Sequence, residues 1–207
     1  WPLSLLTNKD EQFVGYLMRE VNGKKLQDVI LSPKLLQSAF PSWDRLQLVK
    51  LCISVLKRIQ KMHRLNVIIG DLRPANIIIN NNHQISFIDT DSFQIEKYPC
   101  EGGFPDYISP ELHGKNLSRL LRDFEHDYFS ASILVFQILF MGKHPYDNRG
   151  YSNIIENIKK MRFPYDPEKL RTDLTPLGRW RYIWGNLPYG LKSAFNKCRR
   201  LKGSTDF

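Results

Sequence analysis

Three polar residues stand at telling spacing in the stretch VIIGDLRPANIIINNNHQISFIDTDSF, residues 67–93. They are Asp71, Asn76 five residues on, and Asp89 thirteen after that. The set suits phosphoryl transfer from a nucleotide. One carboxylate can orient an attacking hydroxyl. An Asp and an Asn can supply oxygen ligands to Mg²⁺, whose charge offsets that of the phosphates. One Asp–Asn pair beside Pro74 would say little, because both residue types also form turns. The ordered set, on strands around one hairpin, says more.

The elements that must position these residues are short. VII, IIIN and QISFI are β-branched runs, and NNNH between the last two is a turn in which Asn tolerates positive φ. Residues 70–76 are then a loop that leaves one strand and enters a hairpin. Upstream, WPLSLLT and QFVGYLMRE flank the polar NKDE and read as a first hairpin. VNGKKLQDV follows with a Gly-centred turn. Residues 43–65 carry Leu46, Val49, Val55, Leu56, Ile59 and Met62 at helical spacing, with Ser42 as the expected N-cap. His63, near the end of that helix, reads as a hydrogen-bonded core histidine. Beyond Tyr107 the pattern is mostly helical, with helices expected over 128–141, 153–161 and 191–200. A small β portion therefore precedes a larger helical one.

At 207 residues and 42% hydrophobic content the chain can fill one sizeable core. It starts at Trp1 and is read as a piece of something longer. It shows no signal-peptide pattern. The longest apolar run, ASILVFQILFMG, is too short to span a bilayer and holds Gln137. Cys52, Cys100 and Cys198 lie far apart and show no metal spacing, which predicts reduced thiols in a cytoplasmic protein. Exposure is open to Cys100, but with no clear base beside it, it is a poor nucleophile candidate. The formal net charge is +9, and residues 171–202 hold eight basic residues against Asp173, with Trp180, Tyr182 and Trp184 interleaved. Such a stretch can bind single-stranded nucleic acid. A solvated basic face over core aromatics is the reading preferred here.

The motifs taken in order resemble the eukaryotic-type protein kinases. Residues 69–76, IGDLRPAN, stand for the family's H-R-D-L-x-x-x-N catalytic loop, and Asp89-Thr90-Asp91 for its D-F-G metal motif. GFPDYISPE resembles the end of an activation segment, with Ser109-Pro110-Glu111 in place of A-P-E. DYFSASILVFQILFMGKHPY resembles the central helix of the large lobe and its G-x-x-P-aromatic exit. MREVNGKKL resembles the hinge that receives adenine. FIDTDSFQI is most similar to a set of bacterial kinase-like proteins, some with a helix-hairpin-helix region elsewhere.

The resemblance implies an α+β, protein-kinase-like fold. Residues 1–21 would be the last small-lobe strands and the hinge, and 22–207 the large lobe. It implies ATP and Mg²⁺ as cofactors, a protein Ser/Thr hydroxyl as acceptor, and no membrane. Asp71 would orient the hydroxyl, with Arg73 facing the γ-phosphate and Asn76 beside it. Asn76 and Asp89 would hold the metal. Met18, Glu20, Val21 and Ile78 would bind the nucleotide, Glu20 and Val21 through their backbone. Glu111 would brace the activation segment through Arg199 or Arg200. Asp127 would tie the central helix to the catalytic loop.

Several letters depart from the family pattern. Ile69 and Gly70 replace the His and Arg before the catalytic Asp, so control through an activation-loop phosphate is not expected. Asp91 replaces the metal motif's glycine, as a third carboxylate or a turn former. Phe104 stands where Ser/Thr kinases carry a Thr that contacts the catalytic Asp. Neither a G-x-G-x-x-G loop nor a V-A-I-K strand is present, so these residues alone are expected to bind ATP weakly and to be inactive. Two rivals stay open. One is a pseudokinase, a regulatory module that keeps the fold. The other is a small-molecule phosphotransferase, since GDLRPAN and IDTD also resemble aminoglycoside and choline kinases; SPE and the helix from Asp127 argue against it.

Overall fold

The computed structural model describes residues 3–151, 153–165, 174–176 and 178–200, with every side chain among them except those of Asp91, Arg199 and Arg200. The chain opens with the expected hairpin. Strand β1 (Ser4–Thr7) pairs antiparallel with β2 (Phe13–Leu17). Both lie open to solvent, with only Gly15 half-buried. Lys24–Lys25 forms β3 beside the later strand β5.

Residues 26–39 make two short helices that the sequence pattern did not mark, α1 (Leu26–Ile30) and α2 (Pro33–Ala39). Ser32 caps α2 through its hydroxyl, with Pro33 pre-set at the first helical position. They bury Leu26, Val29, Ile30 and Leu36, which is too few positions for a periodic signal.

The long helix α3 spans Arg45–Arg64, and its cap is Asp44, not Ser42. The Asp44 carboxylate accepts from the N–H groups of Leu46 at 2.8 Å and Gln47 at 3.1 Å. Trp43 lies outside the helix because its ring is taken up elsewhere. It stacks between Phe40 and His83, at 4.4 and 4.6 Å between centroids.

After α3 come β4 (Val67–Ile68), β5 (Ile77–Ile79), β6 (Ile85–Phe87) and β7 (Gln94–Ile95). The β5–β6 hairpin forms as expected, but the positive φ in its turn falls on His83, at 57°, rather than on an Asn. Asn80 instead braces the turn, its side-chain oxygen accepting from the N–H groups of Asn82 and Gln84.

The central helix α4 runs over Phe124–Leu139, four residues earlier than Tyr128. Its start is set by Asp123, whose carboxylate accepts from Glu125 and His126 N–H while His126 Nδ1 accepts from Asp123 N–H. The helix is apolar on nearly every side and is buried accordingly. Phe136 stacks on Phe140 at 3.8 Å and packs against Tyr165 and Phe195 at 5.4 Å. Trp184 joins this cluster, so part of the late aromatic stretch is core. Tyr182 faces solvent and Trp180 lies under Arg179.

Helices α5 (Ile154–Lys159), α6 (Arg179–Gly185) and α7 (Tyr189–Arg200) complete the large portion. Asn153 caps α5. Arg171, Asp173 and Lys202, counted above in the basic stretch, lie outside the described residues. Among the described residues no helix is long and apolar enough to cross a membrane.

Candidate active site

The β5–β6 register explains the spacing that first drew attention. Ile77 faces Phe87 across the hairpin, and Ile88 N–H donates to Asn76 O at 3.0 Å. Asn76 therefore ends one arm where Asp89 begins to leave the other. A thirteen-residue separation becomes a side-by-side placement.

Asp71 sits on the loop between β4 and β5, its side chain 12% exposed. Three donors hold its carboxylate. Phe104 N–H reaches Oδ1 at 3.1 Å, and Asn76 Nδ2 and Arg73 Nε reach Oδ2 at 2.8 and 3.0 Å. Phe104 thus serves Asp71 through its main chain. Its ring lies under the Arg73 guanidinium, 5.2 Å from carbon to centroid. An Arg fits this place where a Lys would lose both the planar stacking and the directed N–H.

Asn76 is 8% exposed and spends its amide hydrogens on Asp71, at the main-chain oxygen (3.0 Å) and the carboxylate. Its Oδ1 accepts no bond among the described residues, which leaves it available as an oxygen ligand. Asp89 is exposed and takes a left-handed backbone, φ 61° and ψ 44°. Such a conformation in a non-glycine residue costs on the order of 1–3 kcal/mol and tends to mark functional positions. Its carboxylate has no protein partner among the described residues. One amide oxygen and one carboxylate, with phosphate and water completing the shell, fit Mg²⁺. Asp91 lies in a 3-10 turn, residues 90–92, and its side chain is outside those described.

Behind the loop stands Asp127 on α4, 0% exposed. Its carboxylate accepts from the N–H groups of Ile69 and Gly70, both at 2.8 Å, and meets His63 Nε2 at 2.9 Å. His63 is stacked on Phe124 at 4.5 Å and is the core histidine that the sequence predicts. Glu111 sits in a 3-10 turn (Pro110–Leu112), 3.6 Å from His126 Nε2. The side chains of Arg199 and Arg200, its expected partners, lie outside those described.

Of the expected nucleotide contacts, Met18 and Val21 line one cleft with Arg58, Met62, Phe87 and Phe93. Glu20 and Ile78 are not among its walls. Glu20 is exposed, and neither it nor Val21 spends a backbone group on another described residue. Ile78 is half-buried at the middle of β5.

Cys100 is buried. It is 0% exposed, and its thiol donates to Gly102 O at 3.3 Å. Burial pushes its pKa up, against the Arg122 charge, which lowers it. A thiol so placed is a packing group rather than a nucleophile. His144, taken as structural, donates from Nε2 to Asp106 O at 2.9 Å and accepts Tyr146 N–H at Nδ1. Burial pushes its pKa down to about 4.

Two residues escaped the sequence pattern altogether: Arg122 and Gln94. Arg122 is 4% exposed, and Gln94, at 6%, bonds its main chain. The only trace in the sequence is the glycine at position 70, where the family carries an arginine.

The family model described as the protein kinase domain matches residues 5–176. The chain belongs to this family. Its kinase fold is 28% identical over 189 residues to Protein kinase YegI of Escherichia coli (strain K12), covering 85% of this chain and 29% of that protein. It is 28% identical over 170 residues to human cGMP-dependent protein kinase 2, covering 76% of this chain and 20% of that protein. Against calcium/calmodulin-dependent protein kinase type 1 of Caenorhabditis elegans it is 26% identical over 167 residues, 77% of this chain and 44% of that protein. The chain thus spans under a third of the length of the first two relatives.

Proposed function

We propose that this kinase domain transfers the γ-phosphate of ATP to a Ser or Thr hydroxyl of a protein. The observation that carries the reading is the Asp71 carboxylate, held by three donors from Phe104, Asn76 and Arg73. A carboxylate fixed by so many donors keeps one orientation, which is what aligning a hydroxyl demands. Arg73 neutralises charge at the γ-phosphate. Asn76 Oδ1 and Asp89 hold Mg²⁺, which when bound offsets the phosphate charge. The backbone of Glu20 and Val21 receives adenine, beside Met18 and Ile78. Residues 1–21 act as the last small-lobe strands and hinge, and 22–207 as the large lobe. Glu111 and Asp127 brace the machinery without touching substrate.

The experiment is Asp89→Ala in the natural full-length protein, with phosphate transfer to a Ser/Thr peptide library as the readout. Transfer should fall by about a thousandfold or more. Unchanged biological function in that variant would instead establish the pseudokinase reading. The 207 residues, lacking a glycine loop and strand lysine, should bind ATP weakly by calorimetry. Micromolar affinity would contradict that.

A further inference from the structure

One buried cation stands outside these roles. The Arg122 guanidinium, from the loop before α4, donates to three main-chain carbonyls. Nη1 reaches Gly70 O at 2.6 Å; Nη2 reaches Cys100 O at 3.3 Å and makes a shorter contact with Gly102 O. Gly70 belongs to the loop that carries Asp71. Cys100 and Gly102 belong to the segment that carries Phe104, whose N–H is one of the three donors on Asp71. Arg122 therefore joins the two stretches whose relative position orients the Asp71 carboxylate.

The surroundings are shaped for this side chain. Taking a guanidinium out of water is costly unless its donors are used and its stem is held; both Nη groups are used here, while the buried Nε has no partner among the described residues. No carboxylate pairs with it among the described residues. Gln94 grips its main chain from both sides, Nε2 donating to Arg122 O at 2.8 Å and Oε1 accepting Arg122 N–H at 2.7 Å. Gly70 sits at φ +71°, and a Cβ there would come within 2.7 Å of Nη1 and 2.3 Å of the Cys100 sulfur. The space a side chain at position 70 would need is the space Arg122 and Cys100 fill.

We propose that Arg122 is a positioning residue for phosphate transfer: it clamps the Cys100 and Gly102 carbonyls to the Asp71 loop, and does so with no phosphate on the segment. The acceptors are main-chain carbonyls present in every copy of the chain. The segment is thus held in place by default, and a phosphate could reach the guanidinium only by pulling it out of its burial. This inference rests on the function proposed above.

The test compares wild type, Arg122→Gln and Arg122→Lys in the natural full-length protein. Two readouts are taken: kcat and KM for ATP, and hydrogen–deuterium exchange across residues 100–106, the Phe104 amide above all. Arg122→Gln should lower kcat about a hundredfold, the effect of a misplaced reacting group, while KM for ATP stays within about threefold. Arg122→Lys should fall between, since an ammonium cannot serve three carbonyls with a planar fork. Exchange at Phe104 should rise in both variants while α4 stays protected. Phosphatase treatment should leave wild-type kcat unchanged.

An Arg122→Gln protein with kcat within about threefold of wild type and Phe104 still protected overturns the proposal. So does a phosphatase-treated wild type that loses activity. If wild type transfers no phosphate at all, the function proposed above fails. Exchange then decides the clamp alone: faster exchange at Phe104 supports it and unchanged exchange overturns it. Should Arg122→Gln not fold, Arg122→Lys takes its place in each comparison.

Discussion

The loop around Asp71 and the core around Phe136 are both buried against α4, yet they are held by different physics. Phe136 meets Phe140, Tyr165 and Phe195 through their rings, and any side chain of similar volume would preserve much of that. Ile69, Gly70 and Asp71 are held by directed bonds: Asp127 accepts from the Ile69 and Gly70 N–H groups, Arg122 donates to Gly70 O and Phe104 N–H donates to Asp71. Apolar packing tolerates small slips. A carboxylate that aims at a hydroxyl, as proposed for Asp71, does not. The fold therefore spends its buried charges where orientation matters and its aromatics where volume is enough.

The largest expected effect breaks the apolar side. Phe136→Ala should destabilise the domain by about 4 kcal/mol, through lost transfer energy and the cavity left behind. Urea denaturation would measure it, and hydrogen exchange should accelerate across α4 and α7 together. Next comes the directed side. Asp127→Asn replaces an acceptor-only carboxylate with a group that turns donors toward donors, at about 3 kcal/mol. Here exchange should rise first at the Ile69 and Gly70 amides, ahead of the core. A uniform rise in both variants would erase the distinction between the two regions.

A smaller, graded effect concerns His144, which joins the segment around Asp106 to the exit of α4. Its folded pKa is about 4 against an ordinary 6.5. Between those values the unfolded chain binds a proton that the folded chain does not, so stability rises with pH across that window. The contribution is fully present above about 6.5 and is lost as pH falls toward 4, on the order of 3 kcal/mol in all. Urea midpoints at pH 7.5 and 5 should show the drop, and His144→Asn should flatten it.

Much of this was legible in the chain. The hairpins at β1–β2 and β5–β6 follow from short apolar and β-branched runs on either side of polar turns. The long helix follows from its periodicity, though its cap moved to Asp44 because Trp43 is drawn into a stack with Phe40 and His83. The short helices over 26–39 were not legible, since five to seven residues carry too little periodicity. Asp71, Asn76 and Asp89 stood out because a hairpin register turns fixed spacing into adjacency.

The sequence by itself determined the two hairpins and the longer helices, the kinase-like order of motifs and the identity of the polar groups at the candidate site. Those depend on neighbours a few residues apart, where periodicity and turn chemistry act. Only the tertiary structure decided what holds them. Arg122 bonds a carbonyl 52 residues away, Asp127 an amide 58 away, and Phe104 a carboxylate 33 away. An arginine between Leu121 and Asp123 reads as a surface charge until the fold places three carbonyls around it. The burial of Cys100 has the same origin. Partners brought together by the fold, rather than by the local chain, set the burial and the bonds of such groups.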